Sequence, residues 1–528
     1  MNTVEAGKGL AEGNRMPDGN PNNCDRFHYL QSQLANRWQS IDAFDRQPRQ
    51  ILVVPSLSLD QAELKKVKGV HHYEERLLFA LIRLRNPETR LIYVTSQPLH
   101  PSIVDYYLEL LPGIPSSHAR DRLDLFSTYD SSLRPLTQKI LDRPRLIRRI
   151  KDKLHSDQAY MTCYNSTEYE RELSLLLDLP LLAVDPDLLY WGTKGGSRQI
   201  FMECGIPLPD GSELTHCVTT LAKDTARLWE RHPELKRIVI KLNEGFSGEG
   251  NALFDLSDLA AVAPGRATHE ERAAAIEAAW PSLRFQCDSE SWVSFAQKVA
   301  DLGAIAEAFI EGEEKYSPSV QGRVTPKGEV EILSTHDQVL GGPDGQIFLG
   351  CTFPADDAYR LALQEMGRKV GENLAAKGAL ERYSVDFIAV RQPDNQAQPW
   401  NIQAIEINLR KGGTTHPFMA LKLLTNGTYD SSDGKFYTKN GQAKYYRASD
   451  NLQKEAYKGL LPNDLMDIIM GEQLHFSSID GEGVVFHLMG CLSEHGKLGL
   501  TCIGNTPKAA EEIYERVVTT IDRATQEI

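Results

Sequence analysis

Residues 237–252 read RIVIKLNEGFSGEGNA, and no other stretch of the chain constrains the architecture as strongly. Its apolar first half predicts a strand that delivers Lys241 to a glycine-rich loop, after which a return strand begins. Glycines let backbone N–H groups approach anionic oxygens closely, and a lysine can neutralise a phosphate. The loop residues expected to do so are Gly245, Ser247, Gly248 and Gly250. A tight β-hairpin whose glycines only satisfy the turn is the alternative interpretation.

The loop does not match the two common phosphate-binding motifs. No GxxxxGK[ST] sequence occurs in the chain, so it is not a Walker P-loop. A strand follows the glycines where a Rossmann fingerprint has a helix. The stretch therefore predicts a phosphate-contacting hairpin of another kind.

A second feature is the cluster of carboxylates at the end of the next predicted strand, in IAEAFIEGEEK (305–315). A planar purine needs an apolar slot, an acceptor for its exocyclic amine and a backbone donor. Glu307, with the backbone of Phe309 and Ile310, can supply these, and Glu314 can hold ribose hydroxyls. A solvated, charged strand end is the alternative interpretation.

A third feature is a predicted hairpin of strands 384–390 and 400–408. Residues two apart on a strand project to the same face, so Glu406 and Asn408 project together, with Asp386 opposite them. Oxygen-only ligands suit Mg²⁺, which also takes phosphate oxygens. Arg410 continues the alternation and can stabilise negative charge that develops beside a metal–phosphate site. Paired charges on a solvent face are the alternative, which the apolar context of Glu406 in IQAIEI disfavours.

The order of predicted elements indicates an α/β chain. A length of 528 residues is typical of about three or four domains. Alternating strands and helices over residues 49–190 predict a doubly wound parallel sheet. The pattern changes near Trp191, after which predicted hairpins follow.

Charge and cysteine usage limit the partners and the compartment. The formal net charge of −14 opposes broad binding to nucleic acid or to an anionic membrane. No apolar run approaches the ~20 residues that a membrane span needs. The eight cysteines have wide, irregular spacings without a CxxC pair, a pattern typical of reduced thiols in a cytoplasmic protein.

The lysine, the glycine loop, the hinge carboxylate and the Asp … Glu-x-Asn-x-Arg set occur in an order that resembles the ATP-grasp superfamily. Residues 49–528 resemble its carboxylate–amine ligase branch, the peptide ligases related to the pheganomycin biosynthesis ligase. The stretches that carry the resemblance are VPSLSLD (54–60), HHYEERLLF (71–79), LLPGIPSSHARDRL (110–123), GTKGGSRQIF (192–201), KLNEGFSGEGNA (241–252), EINLRKGGTTHP (406–417) and VVFHLMGCLSEHGKLGLTCIGNTPKAA (484–510).

The resemblance implies roles for individual residues. Lys194 and Lys241 would contact phosphates, and the loop 243–250 would close over them. Glu307, Ile310 and Glu314 would meet the adenine amine, the adenine ring and the ribose. Asp386, Glu406 and Asn408 would hold two Mg²⁺ ions, with Mn²⁺ as an alternative, and Arg410 would face an acyl phosphate. Thr193 precedes Lys194 where many superfamily members have Asp, and Glu313 is an alternative ribose contact.

The resemblance also implies an ATP-grasp fold preceded by a doubly wound pre-ATP-grasp domain. Residues 1–48 lie outside the resemblance, and their Gly, Asn and Pro content with mixed charges predicts a flexible leader. The segments that the resemblance implies are the pre-ATP-grasp domain (49–190), two α+β lobes, namely the nucleotide lobe with the glycine loop (191–310) and the metal lobe (311–425), and a C-terminal cap (426–528).

The implied activity is ATP-dependent ligation of a carboxylate to an amine through an acyl phosphate, with amino acids or peptides as substrates. Lys241 and Arg410 would be the catalytic residues. A homodimer is expected, since many ATP-grasp ligases pair. A kinase on the same fold and a non-catalytic ATP-binding sensor are the alternatives, although a pure binder need not keep every metal oxygen.

Overall fold

The computed structural model of the chain describes residues 23–42, 48–59, 61–155, 157–245, 250–286, 290–341, 347–392 and 399–526. Within these ranges the strands form three sheets, of four, four and eleven strands. None of the helices in these ranges combines the length and the apolar character that crossing a membrane demands.

The first sheet is parallel, as the sequence predicts, with the order β3-β2-β1-β4. Its strands are β1 Arg49–Val54, β2 Thr89–Thr95, β3 Leu123–Ser127 and β4 Ala159–Cys163. The helices around it are α1 Asn23–Asp42, α2 Gln61–Lys66, α3 Pro101–Glu109, α4 Ser116–Arg120, α5 Leu136–Leu141, α6 Pro144–Lys153, α7 Glu168–Leu177 and the 3₁₀ segment Val70–Arg85. Helices α5 and α6 are separate because Pro144, the first residue of α6, cannot continue the hydrogen-bond ladder of a preceding helix.

The expectation of a flexible leader is wrong for residues 23–42. They form helix α1, whose apolar residues are buried at the spacing of one helical face. Those residues are Phe27, Leu30, Leu34, Trp38 and Ile41. They contribute to both hydrophobic cores of the N-terminal part, so the helix is an integral element of it. Residues 1–22 and 43–47 lie outside the described residues.

The second sheet is antiparallel, with the order β7-β6-β5-β8. Its strands are β5 Arg237–Leu242, β6 Asn251–Asp255, β7 Arg284–Phe285 and β8 Ala304–Ala308. The helices of this region are α8 Lys194–Glu203, α9 Val218–Arg231, α10 His269–Ala279, α11 Trp292–Leu302 and the 3₁₀ turns Pro186–Gly192, Ser257–Val262 and Trp280–Ser282. The strands that flank the glycine loop are therefore neighbours, as predicted.

The third sheet has eleven strands, and its main path runs β14-β13-β10-β11-β12-β17-β16-β15. Its strands are β9 Lys315–Tyr316, β10 Pro318–Val324, β11 Val330–Gly341, β12 Ile347–Phe353, β13 Glu381–Arg391, β14 Trp400–Asn408, β15 Thr428–Asp430, β16 Lys435–Tyr437, β17 Ala443–Gln453, β18 Gly483–His487 and β19 Lys497–Gly504. The associated helices are α12 Arg360–Ala376, α13 Thr415–Thr425, α14 Pro462–Gly471, α15 Leu492–His495, α16 Pro507–Gln526 and the 3₁₀ turns Glu455–Tyr457 and Met489–Cys491.

The C-terminal strands continue the same sheet. β17 pairs with β12 on one side and with β19 on the other. The largest hydrophobic core joins residues of the N-terminal part, such as Leu34 and Tyr107, to C-terminal residues such as Leu500 and Ile521. The predicted division at 425/426 thus separates strands that belong to one sheet, and the chain around the site packs as a continuous body.

Candidate active site

A cavity of about 510 Å³ opens between the second and third sheets. Its lining includes predicted site residues from both sheets, so the structure brings them together. From the second sheet and the segment after it come Lys241, Glu307, Phe309 and Ile310, and from the third come Asp386, Glu406, Asn408 and Arg410. Residues far apart in sequence thus face one space, as the hairpin and loop patterns predict.

Lys241 and Glu307 form a buried ion pair across the strand pair β5 and β8. Arg198 on α8 donates from Nη1 to the other oxygen of Glu307 at 2.8 Å. Burial would raise the pKa of Glu307, but Lys241 and Arg198 outweigh it and hold the pKa below its usual range. Each oxygen of a carboxylate can accept more than one hydrogen bond, so Glu307 can still receive a ligand amine.

Lys194 opens helix α8 and reaches the third sheet. Its ammonium lies 2.5 Å from Oε1 of Glu406. Thr193 caps the helix by accepting from the N–H of Gly196, and Asn243, next to the glycine loop, accepts from the N–H groups of Lys194 and Gly195 at 3.0 Å each. These bonds fix the first turn of α8 between the loop and the carboxylates.

Asp386 and Glu406 lie directly opposite each other on β13 and β14. A β-bulge follows at once between Asp386 and Phe387, a feature that commonly re-aims side chains beside functional sites. Burial and the neighbouring Glu406 carboxylate raise the pKa of Asp386 to about 7. Gln338 on β11 donates to Asp386 at 2.8 Å, and the repulsion between the two carboxylates favours a cation between them.

Asn408 and Arg410 extend this oxygen cluster. The Asn408 amide nitrogen donates to Asp386 at 3.0 Å, and its oxygen accepts from Arg410 at 2.9 Å. Two carboxylates and an amide suit the oxygen preference of Mg²⁺. The donor set therefore fits that ion, provided that the Asn408 amide turns over to present its oxygen.

The glycine loop is described only at its base. Gly245 and Gly250 approach so closely that a Cβ on Gly245 would lie 3.3 Å from the Gly250 Cα. Leu242 donates to the carbonyl of Gly250 at 2.9 Å, which closes the hairpin. Ser247 and Gly248 lie outside the described residues.

Glu314 is one of four predicted residues of the described ranges that do not line the cavity, together with Lys194, Gly245 and Gly250. Glu314 also has a partner elsewhere. Its carboxylate pairs with Nη1 of Arg391 at 3.0 Å, and it is absent from the described lining of the cavity. Phe309, by contrast, lines the cavity between the guanidinium of Arg237 and the ammonium of Lys315, which lie 4.1 and 4.3 Å from its ring centroid.

Sequence reasoning missed a group of residues at the other end of the same cavity. Arg76 donates to the Tyr164 hydroxyl at 3.0 Å, pairs with Asp450 and lies 4.0 Å from the Tyr73 ring centroid. Lys497 donates to the Tyr73 hydroxyl at 2.7 Å. Arg76 and Lys497 lie within two of the stretches that carry the family resemblance, 71–79 and 484–510, which was the available signal.

Comparisons with known proteins identify the fold that surrounds this cavity. The family model described as "IQCH-like, ATP-grasp" matches residues 188–286 and 282–432. A solved biotin carboxylase domain of Hydrogenobacter thermophilus 2-oxoglutarate carboxylase aligns with a TM-score of 0.53 and 12% identity, covering 90% of this chain and 90% of that one. The chain has the ATP-grasp fold.

Further matches extend beyond the ATP-grasp region. A second family model, described as "PGM1 C-terminal domain", matches residues 464–517. Biotin carboxylase from Campylobacter jejuni, solved as a β,γ-ATP complex, aligns with a TM-score of 0.52 and 12% identity over 88% of this chain and 90% of that one. The structures of both carboxylases contain adenine nucleotides, and the Hydrogenobacter complex also contains Mg²⁺.

Two curated proteins are similar in sequence to most of this chain. The L-propargylglycine–L-glutamate ligase of Streptantibioticus cattleyicolor is 28% identical over 458 residues, which cover 85% of this chain and 89% of that protein. IQ motif-containing protein H of Danio rerio is 24% identical over 451 residues, which cover 78% of this chain. The match spans only 42% of the length of the Danio rerio protein.

Proposed function

We propose that the chain is an ATP-dependent carboxylate–amine ligase that forms an amide or peptide bond through an acyl phosphate. The observation that carries the proposal is the single cavity lined by Lys241 and Glu307 on one side and by Asp386, Glu406 and Asn408 on the other. The similarity to a ligase of two amino acids supports the choice of reaction.

The cations of the cavity have separate tasks in this proposal. Lys241 and Lys194 hold phosphate oxygens of ATP, exchanging their present partners Glu307 and Glu406 in part for the phosphates. The substrate carboxylate attacks the γ-phosphoryl group, and ADP leaves. Arg410 faces the resulting acyl phosphate and stabilises its charge until the amine attacks and phosphate departs. The glycine loop, including Gly245, Ser247, Gly248 and Gly250, covers the phosphates and excludes water.

Asp386, Glu406 and Asn408 would hold two Mg²⁺ ions. Mn²⁺ is the alternative metal. When bound, these ions offset the charge of the phosphate oxygens. Burial and the Glu406 carboxylate raise the pKa of Asp386 to about 7, and a cation at this position would oppose that rise.

The adenine would lie against Phe309, with Glu307 accepting from its amine and the backbone of Ile310 contacting the ring. All three residues line the cavity. Glu314 is proposed for the ribose, which requires its ion pair with Arg391 to open.

The far end of the cavity suits a zwitterionic amino acid. Arg76 and Lys497 provide positive charge for a carboxylate, and Asp450 can accept from an ammonium group. Tyr73 and Tyr164 place hydroxyl groups beside them. Amino acids or peptides are therefore the proposed substrates.

The test combines purified chain, ATP, Mg²⁺ and pairs of amino acids, with phosphate release as the readout and mass spectrometry of the products. We expect substrate-dependent phosphate release and, when hydroxylamine replaces the amine, a hydroxamate from the trapped acyl phosphate. A stable phosphorylated product without hydroxamate would indicate a kinase. ATP binding without substrate-dependent ADP release across the whole panel would indicate a sensor.

We propose that residues 49–190, 191–310, 311–425 and 426–528 act as separate functional segments, although the last two share one sheet. The seven described cysteines are free, which supports a reducing cytoplasmic location. A homodimer remains a prediction that sedimentation of the purified chain tests.

A further inference from the structure

A second cavity of about 370 Å³ lies where the first sheet meets the third. Its walls come from helix α1, strands β1 and β4, the 3₁₀ segment 70–85, strands β10 and β13 and helix α13. Lys411 lines this second cavity, while its neighbours Arg410 and Gly412 line the first. The two cavities therefore share one turn of the chain but have different linings.

Positive charge predominates in the lining of the second cavity. Its cationic side chains are Arg83, Arg323, Arg382, Lys411, Lys422 and Lys439. Its acidic side chains among the described residues are Asp42 and Glu381. Arg323 forms ion pairs with Asp42 and Glu331, each at 2.6 Å, so these two carboxylates already have a cationic partner.

Arg382 is a buried guanidinium with weak partners. Its nearest carboxylate, on Glu381, lies 3.8 Å away, and that acid is also 3.7 Å from Lys411. Its hydrogen bonds go to the Gln321 amide oxygen at 3.4 Å and to the Met419 sulfur at 2.8 Å. A buried charge usually has a close ionic partner, because losing contact with water is costly.

Lys422 lies beside this guanidinium without an ion pair or hydrogen bond to the described residues. Burial, then Arg323, lowers its pKa to about 8, with Arg83 and Arg382 acting in the same direction. Cations from three elements thus converge on one space, where Asp42 and Glu381 offset only part of their charge.

Apolar side chains form much of the remaining described lining, here called the apolar wall. It includes Trp38, Ile51, Leu77, Phe79 and Leu423. A hydrated inorganic ion would leave this wall unused, whereas a hydrocarbon group would bury it. The volume is in the range of small-molecule sites.

We propose that the second cavity binds a small organic anion, a carboxylate carried on an apolar body, with its head among Arg83, Arg382 and Lys422. The proposal is independent of the ligase activity, because it requires neither ATP nor the residues of the first cavity. The ligand adds negative charge to a described lining in which six cationic side chains face two carboxylates, and its hydrocarbon body covers the apolar wall.

The experiment is a calorimetric titration of the full chain with hexanoate, compared with 1-hexanol, hexylamine and inorganic phosphate. We expect hexanoate to bind at one site, with hexanol and hexylamine at least about tenfold weaker because they lack the charge-assisted contacts. Phosphate should also be weaker, since it leaves the apolar wall uncovered. Equal binding of hexanoate and hexanol would overturn the proposal, and this comparison needs no variant.

Variants locate the site. Lys422→Met and Arg83→Met should each weaken hexanoate binding by about tenfold. Lys422→Met should also melt at or above the wild-type temperature without ligand, since it relieves repulsion among cations. Lys497→Met, the matched control in the first cavity, should bind hexanoate like the wild type. Loss of binding in Lys497→Met, with binding retained in Lys422→Met and Arg83→Met, would place the anion in the first cavity and refute the proposal.

Discussion

Glu406 lies at the centre of the proposed chemistry, between the ammonium of Lys194 and the carboxyl group of Asp386. Glu406→Gln keeps the shape of the side chain but removes the charge that a metal and Lys194 require. We expect ATP turnover to fall at least about a hundredfold, while ATP still binds weakly. Phosphate release and nucleotide titration measure the two effects. Glu365→Gln, an exposed change on α12, is the control, and full activity of Glu406→Gln would refute the metal assignment.

Lys497 tests the substrate end of the cavity. It is buried and bonds to the Tyr73 hydroxyl, and no described carboxylate lies within ion-pair distance of it. Lys497→Met should raise the KM for the carboxylate-bearing amino acid about tenfold and leave the KM for ATP unchanged, because only the substrate loses a charge-assisted contact. Steady-state kinetics with each substrate varied in turn separate the two. Lys508→Met, on the exposed face of α16, should change neither constant, and a matching rise in both KM values would show that Lys497 acts only on structure.

The residues proposed to hold metal and phosphate could be predicted to lie together, because the sequence patterns that indicate them are local. Asp386, Glu406 and Asn408 follow from the two-residue period of one hairpin, and Lys241 from a single strand and loop. Arg76 could not be assigned in this way. Its carboxylate partner Asp450 is 374 residues away in the chain, and only the tertiary packing brings the two together.

At the scale of elements, helix α8 carries Lys194 to the third sheet, and Thr193 caps it. Thr193→Ala should lower the free energy of unfolding by about 1 kcal/mol. It should also raise the KM for ATP several-fold, because the first helical turn loses a bond that fixes Lys194. Thr193→Ser keeps the capping oxygen and should restore both values. Denaturant unfolding and ATP kinetics give the comparison, and a Thr193→Ser variant as impaired as Thr193→Ala would exclude the cap as the cause.

Helix α1 provides a second test at this scale. Leu34 is fully buried in the largest core, so Leu34→Ala should cost about 2–5 kcal/mol of stability and lower the melting temperature clearly. Asn36→Ala, at an exposed position two residues along the same helix, is the control and should change stability by less than about 0.5 kcal/mol. Thermal unfolding followed by circular dichroism distinguishes the two. Equal melting temperatures for both variants would restore the interpretation of this segment as a loose leader.

Helix α1 and strand β12 are among the elements that escaped prediction, and the physical reasons differ. The apolar spacing of α1 was present in the sequence but was masked by the Gly/Asn/Pro-rich residues before it. Strand β12 has a weak local signal because Gly350 lies in its middle. A Cβ at that position would lie 2.2 Å from the carbonyl oxygen of Ala448 on β17, so the pairing of β12 with β17 requires glycine there. The same glycine weakens the strand pattern in the sequence.

At the scale of the whole molecule, the cores that join the N- and C-terminal parts enclose uncharged histidines. His416 on α13 stacks on His487 of β18 with ring centroids 4.1 Å apart, and His336 on β11 bonds to the Tyr446 hydroxyl at 2.5 Å. Burial lowers the pKa of His336 to about 3 and that of His416 to about 4, and it also lowers the pKa of His487. One ring nitrogen of each lacks a hydrogen-bond partner among the described residues, so a proton there would be buried without an acceptor.

Because these three histidines are buried and neutral, we expect the free energy of unfolding to decrease in mild acid. Below pH 6.5 the unfolded chain takes up a proton on each imidazole and the folded chain does not, so acid favours unfolding. Between pH 6.5 and 5 the cost is about 2 kcal/mol for each histidine. Denaturant midpoints should therefore fall steeply over this range, and His416→Phe should fall less steeply than the wild type, because it lacks one of the titrating groups. His118→Asn, at an exposed position, should follow the wild-type curve. If His416→Phe and the wild type lost stability in parallel, His416 would have to be charged in the folded chain, and the neutral stacked pair would be excluded.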